Sequence, residues 1–192
     1  MNETRRALLL AALAPLLASC AGGRPRQIEN ACKLLREKRR WRKHTKRAAK
    51  KWKADPAVML AIIYKESSFD AKARPPRRRF LGIPLGRPST AYGYPQALDQ
   101  TWDFYRKDSG NFIAHRDDFK DAIDFVGWYL ARSRRQLGIK PSDAYRNYLA
   151  YHEGWGGYSR GTYKRNSWLK GAAKRVSAQA ERYRRQIKRC GL

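Results

Sequence analysis

The sequence predicts a mainly α domain interrupted by one irregular insertion. Apolar residues recur at helical spacing through most of the chain, and neither strand-period alternation nor an internal repeat occurs. Proline and glycine gather in one stretch, residues 71–96, where no long helix can run. With 192 residues, 42% of them apolar and 12% aromatic, the chain can bury one core and has little left for a second domain.

Residues 1–19 have the layout of a secretory signal: Arg5 and Arg6, then the apolar run Ala7 to Ala18. That run is too short to span a bilayer. Leu17-Ala18-Ser19-Cys20 also has the form of a lipobox, in which Cys20 is lipidated and starts the mature protein; an ordinary signal cleavage site is the alternative. Residues 20–32 are expected to form a short tether, and residues 33–192 a single domain. Once Cys20 is set aside, Cys32 and Cys190 remain as a pair near the two ends of the mature chain. A disulfide between them would close a very long loop and stabilise by about 4 to 5 kcal/mol on the chain-entropy model.

From Lys33 to Lys53 twelve of twenty-one residues are Lys or Arg, while Leu34, Trp41, Thr45, Ala48 and Trp52 share one face. One amphipathic helix with a basic outer face is predicted there. Asp55 followed by Pro56 reads as an N-cap with proline at the first helical position, opening a helix through Ser68. After the insertion, which is expected to be a surface loop or small hairpin, a weak helical pattern covers Asp99 to Arg106. A strong one covers Asp118 to Gln136, stopped by Gly138. Ser142 is the expected cap of a further helix ending at Gly154, and Trp168 to Ile187 forms a long basic surface helix.

Forty-three Lys and Arg against 16 Asp and Glu give a formal charge of +27, so the surface attracts polyanions. Anionic envelope components are the expected secondary partners, since a secretory signal argues against a specific nucleic-acid partner. A non-enzymatic basic protein bound to anionic envelope polymer is one reading of this charge. Cys32, Cys190 and the scattered His44, His115 and His152 show no ligand spacing, so neither a metal nor another cofactor is expected.

On the helix opened by Asp55, the residues Met59, Ile62, Ile63 and Glu66 fall at i, i+3, i+4 and i+7, which puts a carboxyl group on an apolar stripe. Desolvation there favours the protonated form, the condition for a general acid near neutral pH. A helix-end glutamate paired with a local cation is the plainer alternative.

Lys65-Glu66-Ser67-Ser68-Phe69, Ala91-Tyr92-Gly93-Tyr94-Pro95-Gln96 and Ala150-Tyr151-His152-Glu153-Gly154 together resemble the three motifs of the Slt-type lytic transglycosylases, relatives of goose-type lysozyme. The resemblance runs over about residues 50–160 and implies a lysozyme-like α-helical domain acting on peptidoglycan at the periplasmic side of the envelope; a monomer is expected. It implies Glu66 as catalytic acid and base, Ser67 as the residue orienting the reacting sugar, the Gly-x-x-Gln element at Gly93 to Gln96, and Tyr151 in the third motif. The family's asparagine after that tyrosine is His152 here, and its apolar residue before the glutamine is Pro95. Tyr94, Tyr151 and Trp155 are the expected aromatics of the cleft, with His152 and Glu153 beside them; Trp102 and Tyr105 are assigned to the core. Asp70 and Glu153 are the carboxylates that a lysozyme-type hydrolase would need to choose between.

Overall fold

The computed structural model describes residues 23–77, 79–81 and 83–191. The signal segment 1–19 and Cys20 lie outside the described residues. The fold is mainly α, a lysozyme-like all-helical domain: α1 (Ala31–Glu37), α2 (Arg39–Trp52), α3 (Pro56–Ser67), α4 (Asp99–Ser109), α5 (Phe119–Leu137), α6 (Ala144–Arg160) and α7 (Ser167–Cys190), with a 3-10 turn at Thr162–Arg165. The insertion carries a two-stranded antiparallel hairpin, β1 (Arg79–Phe80) with β2 (Ile83–Pro84).

α3 is the central element. Every residue from Ala57 to Ile63 is buried, so its whole circumference, and not one stripe, is core. It packs against α7 on one side and α5 on another, and α5 in turn lies across α2. At that last crossing Gly127 makes room for Trp52, whose ring would stand 2.8 Å from a Cβ at this position. Asp55 fixes the start of α3: its carboxylate accepts from the Ala57 and Val58 amides at 2.8 and 3.4 Å and pairs with Arg184 of α7 at 2.8 Å. The entry of α3 is therefore tied to the last helix before its far end reaches the site.

The basic segment predicted as one helix is two. Lys38 leaves helical geometry (φ −108°, ψ 70°), so α1 turns Ala31, Leu34 and Leu35 into the core while α2 starts anew at Arg39 and buries Thr45 and Ala48. Neither glycine nor proline marks this break. The tether expected over residues 20–32 is packed in its later part: Ala31 and Cys32 belong to α1, Pro25 is buried, and Arg24 Nε donates to the Ser68 carbonyl at 2.8 Å. Cys32 and Cys190 are disulfide-bonded with Cα atoms 6.0 Å apart, which clamps α1 to the end of α7.

Two further boundaries differ. The cap of α6 is Asp143 and not Ser142, because the carboxylate accepts from the Arg146 amide at 3.0 Å. The helix also continues past Gly154 to Arg160, with Gly154 itself at φ 73°, ψ 160°, a conformation that only glycine adopts readily. α6 is thus two helical pieces joined by a kink, and that kink lies in the third motif.

Candidate active site: a glutamate at the floor of an aromatic cleft

α3 ends in an unusual way. Ser68 and Phe69 both take left-handed backbone conformations, φ 50° and 61°, which is strained for a phenylalanine. The strain is held by packing, since the Phe69 ring is fully buried and stacks 5.8 Å from Trp41. Glu66 occupies the last turn before this reversal, where the core helix meets open space.

That space is a cleft of about 420 Å³, lined among others by Glu66, Gln96, Phe125, Tyr129, Tyr151 and His152. The Glu66 carboxyl keeps an opening to the cleft and is otherwise enclosed by protein. Burial pushes its pKa up to about 7, against the lesser opposing effects of the Tyr148 hydroxyl and the charge of Lys65. A carboxyl group in this setting is half protonated near neutral pH and can both give and take a proton.

The second motif is held by its own polar groups. The Gln96 amide Nε2 donates to the Ala73 carbonyl at 2.9 Å and to the Gly93 carbonyl at 2.8 Å, with the Gln96 backbone at φ 48°. Gly93, at φ 70°, sits so close to the Arg116 carbonyl that a Cβ would come within 2.3 Å of its oxygen. The Gly93 amide also donates to the Ala73 carbonyl at 3.0 Å, so the second motif is fastened to the chain that leaves the first. Tyr151 fastens the third: its hydroxyl donates to the Pro95 carbonyl at 2.6 Å. Tyr129 donates to the Ala150 carbonyl at 2.8 Å and fixes α6 from behind.

Glu66, Gln96, Tyr151, His152 and Glu153 therefore share the cleft wall. Ser67 does not line it, and its hydroxyl donates back to the Ile63 carbonyl at 3.2 Å. Tyr94 is a correction to the expected aromatics. It is 5% exposed and turned into the core against Trp41 and Phe119, both at 5.6 Å. Trp155 likewise stands behind the wall, stacked on Tyr129 at 4.4 Å with its indole N–H donating to Ser133 at 3.0 Å. It follows the Gly154 kink, which turns its side chain off the face that Tyr151 occupies. Trp102 and Tyr105 are buried, in the core.

Tyr148 is the residue that sequence reasoning passed over. It lies three positions before Tyr151 on α6, so the two share a helix face, and that face points at Glu66. Of the other carboxylates, Asp70 accepts from the Lys72 amide at 2.8 Å in the turn after α3. Glu153 accepts from the Thr162 hydroxyl with one oxygen, and its other oxygen lies 3.3 Å from His152 Nδ1. Among the described residues no group of three or more His, Cys, Asp and Glu side chains could hold a metal ion, and no helix is long and apolar enough to cross a membrane.

A buried acid at a helix end faces tyrosines and a glutamine that brace the cleft, in a lysozyme-like fold. The transglycosylase SLT domain family matches residues 8–190, and the chain belongs to that family. Membership supports lytic transglycosylase activity with peptidoglycan as substrate. None of the curated proteins matches the chain.

Proposed function

We propose that the protein cleaves the glycosidic bond between N-acetylmuramic acid and N-acetylglucosamine and leaves 1,6-anhydro-muramic ends, with Glu66 as acid and then base. The observation that carries this is the enclosed Glu66 carboxyl, poised near neutral pH at the floor of the cleft. Protonated Glu66 gives its proton to the glycosidic oxygen as the bond from C1 breaks, a contribution of about 10² to 10⁴ in rate. The resulting carboxylate takes the proton from the muramic C6 hydroxyl as that oxygen closes onto C1, which restores the acid. No water enters, and holding the hydroxyl over C1 supplies by proximity what a hydrolase must obtain by positioning water.

The engagement of Glu153 by Thr162 and His152 favours this lyase route over an inverting hydrolase, which needs a second carboxylate about 6.5 to 9.5 Å away and free to activate water. Gln96 and Tyr151 act as braces of the cleft through the Ala73, Gly93 and Pro95 carbonyls, and His152 and Glu153 form its rim. Ser67 would act through the α3 end. The Cys32–Cys190 bond supports work in an oxidising compartment on the outer side of the inner membrane, with residues 1–19 as export signal and Cys20 as lipid anchor. The basic surface would hold the protein against anionic envelope polymer.

An assay of reducing ends tests the reading. Anhydro ends carry no free hemiacetal, so glycan release by the mature protein should proceed without a matching rise in reducing sugar. An equal rise would make the enzyme a hydrolase.

A further inference from the structure

Five of the six tryptophans are buried or half-buried; Trp168 is 59% exposed. It stands in the first turn of α7, whose start is fixed by Asn166 accepting from the Leu169 amide at 2.9 Å and by the fully buried Leu169 side chain. The backbone is thus anchored while one face of the indole is left open beside the cleft.

Its neighbours belong to the cleft. The His152 ring, part of the cleft wall, lies 5.6 Å away, and the Lys65 ammonium sits 5.9 Å from the indole centroid. Lys65 directly precedes Glu66. Among the described residues Lys65 enters none of the ion pairs, so its charge is open to a ligand. Trp168 therefore continues the cleft outward on the side of the first and third motifs, although it belongs to none of them.

We propose that Trp168 and Lys65, with His152 between them and the cleft, form an outer subsite for one N-acetylated pyranose that carries an acidic peptide. An indole face suits the C–H face of a pyranose ring, and an ammonium group beside it suits the carboxylates of a peptide substituent. The inference rests on the peptidoglycan reading above and adds a place for the substituted sugar outside the reacting pair.

Calorimetric titration of the Glu66→Gln protein, in which turnover is slowed by the expected factor of about 10² to 10⁴, separates the two parts. One ligand is the uncharged N-acetylglucosamine tetramer, and the other is a peptide-bearing muramyl tetrasaccharide. Trp168→Ala should weaken both by about fivefold to tenfold, with Trp168→Phe weakening them less because a ring face remains. Lys65→Met should weaken the peptide-bearing ligand alone. Affinity unchanged by Trp168→Ala, or equal loss of both ligands in Lys65→Met, overturns the subsite. If the active protein yields no anhydro ends while Trp168→Ala still loses glycan affinity, the proposed reaction falls and the subsite stands.

Discussion

Tyr148 stands beside the Glu66 carboxyl at the floor of the cleft, close enough that each group shifts the proton affinity of the other. Burial raises the pKa of both. The Tyr148 hydroxyl then favours the carboxylate and partly offsets the rise at Glu66, while burial and the Glu66 charge hold Tyr148 far above its usual range. Tyr148 is therefore a permanent donor, and Glu66 the group that changes state.

Glu66 makes stability fall with rising pH. Its folded pKa, about 7, is above the unfolded value of 4.5, so the native state binds more protons between these limits and the unfolded state is favoured as pH climbs. Glu66→Gln removes that penalty and should stabilise the protein by about 2 to 3 kcal/mol above pH 7, with little effect near pH 4. Thermal melts of both proteins across this range check the sign; equal melts at every pH would place the carboxyl in water.

Tyr148→Phe should move the activity profile. Without the hydroxyl, Glu66 loses a neighbouring group that favours its charged form, so its pKa rises and the alkaline fall of kcat/KM shifts to higher pH. Tyr148→Phe keeps the buried ring and removes only the hydroxyl, a change of about 1 kcal/mol that leaves the fold intact for the measurement. An alkaline limb that stays in place would mean that Tyr148 does not touch the reacting carboxyl in solution.

Gly154→Ala should damage the site through the backbone. At φ 73°, ψ 160° an alanine costs about 1 to 3 kcal/mol, although open space surrounds the position where its Cβ would lie. Relief of the strain would straighten α6 and turn His152 and Glu153 relative to Glu66. A drop in kcat larger than the drop in melting temperature explains would confirm that the kink shapes the cleft; unchanged kcat would show that it does not.

Much of the site was legible because short-range chemistry encodes it. Asp55-Pro56 announces the start of α3, and counting from that cap brings Glu66 to the last turn of a buried helix. The break at Lys38 was not legible, since no glycine or proline marks it and only the tertiary demand of burying Leu34 and Leu35 turns the chain there. Tyr94 misled for a related reason. An aromatic residue beside a motif glycine reads alike whether it faces sugar or core, and the packing of Trp41 and Phe119 decides. Tyr148 was legible in principle through its three-residue spacing from Tyr151, but only knowledge of which α6 face meets α3 gives that spacing a meaning.

Removal of the Cys32–Cys190 bond, by Cys32→Ala with Cys190→Ala, should cost about 4 to 5 kcal/mol, because the bond closes a separation of 158 residues in the unfolded chain. Denaturant midpoints with and without reductant check this. The double variant should not respond to reductant, while the parent protein should fall to its level. A parent indifferent to reductant would mean that the bond does not form.

The most direct test of the central claim is mass spectrometry of the fragments that the mature protein releases from purified peptidoglycan, run beside Glu66→Gln. The active protein should yield 1,6-anhydro-muramic ends, and the variant should release them more slowly by about 10² to 10⁴. Hydrated, reducing muramic ends, or anhydro ends formed equally well by Glu66→Gln, would contradict it.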